Sequence, residues 1–555
     1  MLNNMMKHLF KFFNDDETLV GFGTRSLWYN IGINPDVAKE RFINYLGEEQ
    51  RKIRTRDEAI EILDVLIKEI QSKMRDRMKK TDSRVFIAQL QNIFAKVYKV
   101  YIEQKEIRSK LKDMNIRDGA AIEIYDVNRQ ISKCLLDGIS IWIENALLYE
   151  NISDNEYEKV DKIDNELLID TYIYGVASMN FSLLHMSKLK RFDEKEFFYG
   201  LDITPNEDIP LEAYRDHPVI YHNSIITGNQ EHLYQDQEFK YADSMEIGIS
   251  FKEKYGISFL SYMAILYGLP HYGVKEYMSK IEFTSLIDNL GIDGVNSELV
   301  YTNLTLKRSE VATHLKNDDE YIWTVETNEH RISLKPFIQL KSGYIMTNIQ
   351  LLERAMNTWV SYLLNGGSVY VKNPADTLLK AFQSRNEQLG NRLVELLRDT
   401  LRANYKGTTF DEIEVPYSTI WGKREINYGD FDLMFYSKET NELFLIESKY
   451  ICDSLNSSSI VSDYDKIFRD KGYHFKCRRR YDLVLNEPDP IKKHIGVQGE
   501  INVHFLFITS KPLEIELQDK DDIVTFVSLE MFDSYINGRY ESEDGEKTIR
   551  PTYKI

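Results

Sequence analysis

Cysteine is scarce in this chain. Cys134, Cys452 and Cys477 are its only three cysteines in 555 residues, and they lie far apart with no CxxC pair among them. This argues against a disulfide framework and against a structural zinc site built on thiolates, because both need grouped cysteines. Sparse cysteine usage is typical of a reducing compartment, so we expect a cytoplasmic protein.

Long apolar runs are also missing. The most apolar internal stretch, residues 134–148, is interrupted by Asp137 and Glu144, whereas a bilayer-spanning helix needs about 20 apolar residues. The first 22 residues mix Lys, Asp and Glu into an apolar run and lack a small-residue cleavage site, which favours an ordinary helix over a signal peptide. We therefore expect a soluble protein with no membrane partner.

Positive charge is in deficit over the whole chain. The formal net charge is −18, which argues against a protein that coats nucleic acid through its overall charge but leaves room for a local basic groove. The chain also has no GxxxxGK[ST] phosphate-binding loop, and residues 21–24 (GFGT) are only a fragment of a glycine pattern. Nucleotide hydrolysis by that route is therefore disfavoured.

What the chain does have is the composition of folded protein, with 43% hydrophobic and 28% charged residues. Its length exceeds what one hydrophobic core usually serves, so we predict several domains. Apolar residues at helical spacing predict helices at 56–80, 84–113 and 120–148. We therefore predict a helical domain at 1–150, a candidate surface for a homo-oligomer contact or a partner protein.

A mixed α+β pattern follows in residues 151–370. Helices are predicted at 165–188, 251–267 and 346–364, and short strands at 321–325, 331–334 and 343–347. Turn formers at 365–367 and 373–374 then mark a boundary.

Residues 371–555 have the pattern of an α/β domain. A helix is predicted at 375–402, strands at 412–416, 430–436 and 443–451, a helix at 463–485 and a strand at 503–509. This order of helix, three strands, helix and strand predicts a buried central sheet.

The segment that carries chemistry is NYGDFDLMFYSKETNELFLIESKY, residues 427–450. Asp430 and Asp432 share one face of the first strand, and Glu447 and Lys449 share one face of the second, because side chains alternate with period two. Charged groups at the end of an otherwise apolar strand are costly unless they are paired or bind something. Two carboxylates suit Mg²⁺, and a nearby ammonium can orient water or offset negative charge at a phosphate. A solvated hairpin with a chance ion pair is the alternative interpretation.

GDFDL followed by LFLIESK resembles the signature of the PD-(D/E)XK, or restriction-endonuclease-like, nuclease superfamily, and the resemblance covers about residues 375–535. It implies a C-terminal α/β restriction-endonuclease-like domain with a mixed central sheet. It also implies Asp432 and Glu447 as ligands of Mg²⁺ or Mn²⁺ and Lys449 as the catalytic lysine. Asp430 is the less favoured ligand and could assist from the same face.

Two further sets of residues follow from the resemblance. The family often adds a glutamate from the helix before the sheet, which is Glu387 or Glu395 here, and helical spacing favours Glu387 because Glu395 lies roughly opposite the leucine stripe. A basic helix follows the lysine in the family. Residues 465–493 hold nine Lys or Arg against five Asp or Glu. The predicted contacts to the nucleic-acid backbone are Lys471, Lys476, Arg478, Arg479 and Arg480, with a solvated helix face as the alternative.

The sequence as a whole therefore predicts a metal-dependent nuclease, acting on DNA more than on RNA. By analogy with large bacterial proteins of the superfamily, defence against phage is the expected role. The alternatives are a nuclease of DNA repair or recombination, and a catalytically inactive nucleic-acid-binding or interaction protein with the same fold.

Overall fold

The computed structural model describes residues 56–113, 119–160, 162–184, 236–313, 331–366, 376–451, 466–510, 523–538 and 552–555, with five isolated positions between 37 and 45. Within these ranges the protein is a mixture of helices and strands, with a mixed sheet near the C-terminus. The predictions of a helix in the first 22 residues and of a strand at 321–325 lie outside the described residues.

The first part of the described chain is helical. Its helices are α1 (Arg56–Lys80), α2 (Ser83–Asp113), α3 (Gly119–Leu148) and α4 (Asn165–Leu184). Each predicted helix in this part is confirmed, with its start at or within one residue of the predicted position. Neighbouring helices pack through apolar stripes, which on α1 consist of the buried residues Leu63, Leu66, Ile67, Ile70 and Met74.

The middle part combines short helices with a small sheet. Its helices are α5 (Asp236–Lys240), α6 (Glu246–Tyr255), α7 (Phe259–His271), α8 (Lys280–Asn289), α9 (Ser297–Leu304), α10 (Arg308–Ala312) and α11 (Ile349–Asn365), with a 3₁₀ turn at Ala242–Ser244. The strands β1 (Tyr277–Met278), β2 (Thr305–Leu306), β3 (Phe337–Gln339) and β4 (Ile345–Met346) pair in the order β1-β4-β3-β2.

Two predictions in this middle part are wrong. The single helix predicted at 251–267 is two helices, because Gly256 ends α6 in the left-handed conformation (φ 71°) and Ser258 then caps α7. Residues 331–334 form a turn rather than a strand, and the strand begins at Phe337. The strand predicted at 343–347 is confirmed as β4, and the helix predicted at 346–364 as α11.

The C-terminal part follows the predicted order of helix, three strands, helix and strand. Its elements are α12 (Thr377–Asn404), β5 (Thr408–Pro416), α13 (Tyr417–Trp421), β6 (Asp430–Ser437), β7 (Glu442–Lys449), α14 (Tyr473–Asn486), α15 (Pro488–His494), β8 (Asn502–Thr509), β9 (Thr525–Ser528), α16 (Leu529–Ile536) and β10 (Tyr553–Lys554). The short elements α13, α15, β9, α16 and β10 were not predicted. The single helix predicted at 463–485 is wrong, because the described chain turns at residues 469–472 and the long helix begins only at Tyr473.

These six strands form one mixed sheet. Strands β5, β6 and β7 are successively antiparallel, and β7 pairs parallel to β8. On the side of β8 away from β7, two short strands pair with it. Strand β10 is antiparallel to the beginning of β8, and β9 is parallel to the end of β8. The parallel β7–β8 pair places the C-terminal ends of both strands at one edge, where the predicted site lies.

Helices cover both faces of this sheet, and two groups of buried residues mark the faces. We call the first the α12-side cluster, which contains Leu389, Leu393, Leu397, Leu433, Phe435, Phe444 and Ile446. We call the second the α14-side cluster, which contains Phe431, Met434, Tyr436, Leu443, Leu445, Cys477, Tyr481 and Val484. Burial on both faces explains why β7 is continuously apolar from Leu443 to Ile446.

Candidate active site

Strand β7 places Glu447 and Lys449 side by side at its C-terminal end. Glu447 follows Leu445 by two residues and therefore lies on the same face as the α14-side cluster. The Nζ atom of Lys449 is 2.6 Å from Oε1 of Glu447. The prediction that these two side chains share a face is confirmed.

Strand β6 carries Asp432 beside a break in its side-chain alternation. Leu433 belongs to the α12-side cluster and Phe431 to the α14-side cluster, although regular alternation would place residues two apart on one face. On the neighbouring strand, Glu414 lies between the paired positions opposite these residues and has a positive φ of 52°. The prediction that Asp430 and Asp432 share a regular face is therefore wrong, because the strand changes faces at this point.

The carboxylate of Asp432 bonds to the end of β7. Its Oδ2 atom accepts hydrogen bonds from the backbone amide of Ser448 at 2.6 Å, from the Ser448 hydroxyl at 3.2 Å and from Lys449 Nζ at 3.3 Å. The register between β6 and β7 runs only as far as Leu433 and Ile446. Beyond this pair, the side chain of Asp432 accepts a hydrogen bond from the backbone amide of Ser448. Asp432 and Glu447 both pair with Nζ of Lys449.

A buried arginine holds the other side of Glu447. The side chain of Arg480 is 3% exposed, and its Nη2 atom donates to Oε2 of Glu447. Its Nη1 atom donates to the carbonyl of Tyr428 at 3.2 Å, and its guanidinium lies 4.9 Å from the ring centre of Phe431. Arg480 is thus a structural partner of the site, and the prediction that it contacts a nucleic-acid backbone is wrong.

The helical pattern of α14 explains the orientation of Arg480. Cys477, Arg480, Tyr481 and Val484 recur at helical spacing and are all buried against the sheet. Three of these four residues are apolar or aromatic, and this stripe was the signal in the sequence that could have identified Arg480 as an inward-facing residue. The three consecutive arginines led to the wrong prediction for Arg480, because a run of charged residues usually lies on one solvent-exposed face.

Tyr481 anchors the backbone of Glu447. The amide of Glu447 donates to the Tyr481 hydroxyl at 3.2 Å, and this hydroxyl lies 3.0 Å from the carbonyl of Leu445 and 2.6 Å from that of Leu506. One phenol therefore ties α14 to both β7 and β8 beneath the site.

Burial and neighbouring charges shift the pKa values of the three predicted catalytic groups. Burial and the charge of Glu447 raise the pKa of Asp432. Burial also acts to raise the pKa of Glu447, but Arg480 and Lys449 outweigh it and lower that pKa. For Lys449, burial acts to lower the pKa, but Glu447 and Asp432 outweigh it and raise it. At neutral pH, Glu447 is ionised and Lys449 is protonated.

The donor set of this site fits a hard divalent cation. All three hydrogen bonds to Asp432 go to Oδ2, which leaves Oδ1 without a donor among the described residues. Carboxylate oxygens are the ligands that Mg²⁺ prefers, and Mg²⁺ commonly takes one or two carboxylates and keeps several waters. Lys449 already acts as a cation shared by Asp432 and Glu447. Within the described ranges, no group of three or more His, Cys, Asp or Glu side chains is placed to hold a metal ion.

The supporting acidic residues lie outside this hydrogen-bonded group. Asp430 is exposed at the start of β6, and Glu387 and Glu395 are both exposed on α12. A Cβ atom built on Gly390 would lie 4.0 Å from Cβ of Tyr450, so the Gly390 side of α12 faces the end of β7. Glu387 is three residues from Gly390 and Glu395 is five, which puts Glu387 nearer that side of the helix.

The other predicted basic contacts lie at the surface. Lys471 and Lys476 are exposed. Arg478 is half-buried and pairs with Asp482 at 3.1 Å, and Arg479 is half-buried between two aromatic rings. For these four residues, contact with a nucleic-acid backbone stays a prediction.

We compared the chain with protein-family models, with curated proteins and with solved structures. None of them matches it. A functional assignment therefore rests on the residues of the site and their geometry. In the part of the chain that the structure describes, no helix has the length and apolar character needed to cross a membrane.

Proposed function

We propose that this protein is a metal-dependent nuclease that hydrolyses phosphodiester bonds, in DNA more than in RNA. The observation that supports the proposal is the meeting of Asp432 and Glu447, from adjacent strands, on the ammonium of Lys449. Two carboxylates and an amine at one edge of a buried sheet can supply the metal ligands and the positive charge that metal-dependent phosphodiester hydrolysis uses.

Each residue has a distinct role in this proposal. Asp432 and Glu447 would hold Mg²⁺ or Mn²⁺, which when bound stabilises charge on the phosphate and lowers the pKa of a bound water. Lys449 is protonated, so it donates hydrogen bonds to the attacking water or to a phosphate oxygen and offsets negative charge there. Arg480 keeps Glu447 ionised and fixed in place from the far side.

Defence against phage or other foreign DNA is the biological role that we propose. It follows only from the analogy with large bacterial proteins of the superfamily that the site resembles. In that role the helical region would serve as a sensor or an assembly surface. A repair or recombination nuclease would instead cut selectively at particular DNA structures.

One observation favours a second candidate, a catalytically inactive nucleic-acid-binding protein. Both carboxylate oxygens of Glu447 are already engaged, one by Lys449 and the other by Arg480. Two carboxylates and two cations give a cluster with no net charge, which satisfies itself without a metal. Such a cluster could have a purely structural role, with no part in catalysis.

Cleavage assays separate these candidates. The full-length protein would be incubated with supercoiled plasmid, linear DNA and RNA, with Mg²⁺, Mn²⁺ or EDTA. We expect DNA cleavage that requires the metal and that falls by about 100-fold or more in Lys449→Ala, since removing one group that stabilises the transition state has this order of effect. Lys438→Ala is the matched control, because Lys438 is an exposed lysine in the turn of the same hairpin.

Three outcomes would contradict the nuclease. Cleavage that is equal in Lys449→Ala and in the unchanged protein would exclude the proposed role of the lysine. Cleavage only in EDTA would exclude the metal. Binding of DNA with no cleavage under any condition would favour the inactive candidate.

A further inference from the structure

Exposed aromatic rings lie beside the proposed catalytic residues. Tyr473 and Phe475, in the first turn of α14, are 38% and 41% exposed. The ring centre of Tyr473 lies 5.4 Å from Nζ of Lys449. Tyr473 therefore borders the site on the β7 side and keeps part of its ring open to solvent.

A second aromatic group borders the site on the β6 side. The guanidinium carbon of Arg479 lies 5.3 Å from the ring centres of both Tyr428 and Phe475, so the guanidinium contacts both rings. The carbonyl of Tyr428 accepts a hydrogen bond from Arg480, whose guanidinium also holds Glu447. Arg480 therefore links this group of side chains to Glu447, a proposed metal ligand.

These rings differ from the other aromatic residues of the same region. Phe431 and Tyr481 are fully buried between α14 and the sheet, where they serve the core. A single exposed aromatic residue needs no explanation, but here aromatic groups and a guanidinium border one charged site on two sides. Lys471, just before α14, and Lys476, on α14, are both exposed and add positive charge near these rings.

We propose that Tyr473, Phe475, Tyr428 and Arg479 form a stacking platform for unpaired bases, so that the substrate is single-stranded DNA or a DNA end with unpaired nucleotides. The inference rests on the proposed nuclease function. Aromatic rings and guanidinium planes stack on bases of any sequence, whereas the bases of an intact duplex are already stacked inside it. The net charge of −18 also disfavours duplex binding through phosphate contacts alone.

Binding measured without cleavage tests the platform. The full-length protein in EDTA would be titrated into single-stranded and duplex oligonucleotides of the same sequence at one salt concentration, with 2-aminopurine at one position. We expect tighter binding to the single strand, with a fluorescence change that reports stacking. Tyr473→Ala and Phe475→Ala should each weaken single-strand binding about 10-fold and leave duplex binding nearly unchanged.

Two variants control for indirect effects. Tyr473→Phe keeps the ring and should bind as the unchanged protein does. Tyr267→Ala removes another exposed tyrosine, 63% exposed on α7, and should have no effect. Single-strand binding and fluorescence that are the same in Tyr473→Ala, in Phe475→Ala and in the unchanged protein would overturn the platform.

A parallel assay with Mg²⁺ distinguishes the two proposals. If the protein cuts duplex and single-stranded DNA equally and neither aromatic variant changes this, the platform is wrong and the nuclease stands. If single-strand binding depends on the two rings but no DNA is cut, the nuclease is wrong and the platform stands as a binding surface.

Discussion

Arg480 and Glu447 form a buried ion pair between α14 and β7, on the opposite side of the carboxylate from Lys449. Their side chains are only 3% and 10% exposed. Water cannot replace either partner at such a depth, so each charge depends on the other for stabilisation. The pair therefore links the packing of α14 to the position of a proposed metal ligand.

Removing Arg480 should destabilise the C-terminal part of the protein. Breaking a buried ion pair costs about 3–5 kcal/mol, because an uncompensated charge is left behind. We expect Arg480→Met to lower the midpoint of chemical denaturation strongly. Adding Glu447→Gln should restore part of the loss, since the double variant has no stranded carboxylate.

Arg478→Met provides the matched control for Arg480. Arg478 is half-exposed and pairs with Asp482 one turn along the same helix, an interaction worth about 0.3–0.5 kcal/mol. Equal denaturation midpoints for Arg478→Met and Arg480→Met would show that the buried pair contributes nothing particular.

The position of Gly390 leads to a prediction about the upstream glutamates. Glu387 lies near the side of α12 that faces the end of β7, and Glu395 lies farther around the helix. We expect Glu387→Gln to slow DNA cleavage about 10-fold, as for residues that support a metal site from outside its direct ligands. Glu395→Gln should leave the initial rate unchanged. A larger effect of Glu395→Gln would reverse the assignment.

Asp82 should make the stability of the helical region depend on pH. It lies between α1 and α2, where its carboxylate pairs with Arg84 at 2.6 Å and accepts from Ser153. Burial acts to raise the pKa of Asp82, but these hydrogen bonds outweigh it and hold the pKa well below its usual value. A lowered folded-state pKa stabilises the fold above the unfolded pKa of about 3.9 and loses this contribution as the pH falls further.

Thermal unfolding of Asp82→Asn beside the unchanged protein measures this effect. We expect the variant to melt at a lower temperature at pH 7, and the difference to shrink as the pH falls below about 4. A difference that stays constant or grows toward low pH would exclude the ionised carboxylate as its cause.

Periodic patterns in the sequence predicted the features that depend on residues within a single helix or strand. Glu447 and Lys449 are two residues apart on one strand, so period-two alternation was enough to place them together. The long amphipathic helix α12 was equally visible. The strands β1, β2 and β3 were missed, because they have only two or three residues each, which is too short for periodicity to reveal.

The remaining features depend on contacts between distant parts of the chain. Asp430 does not share the face of Asp432, because β6 changes faces opposite Glu414, and a period-two pattern cannot predict such a change. Arg480 turns inward because α14 packs on the sheet through Cys477 and Tyr481. Neither spacing nor charge alone contains that information.

Binding of Mn²⁺ tests most directly whether Asp432 and Glu447 share a divalent cation. Electron paramagnetic resonance would measure the affinity of the unchanged protein, of Asp432→Asn and Glu447→Gln, and of the control Glu439→Gln, whose carboxylate is exposed in the hairpin turn. We expect one site in the unchanged protein and the control, and an affinity at least 10-fold weaker in the other two variants. Mn²⁺ binding that is absent from the unchanged protein at millimolar concentration, or that is equal in all four proteins, would contradict the account.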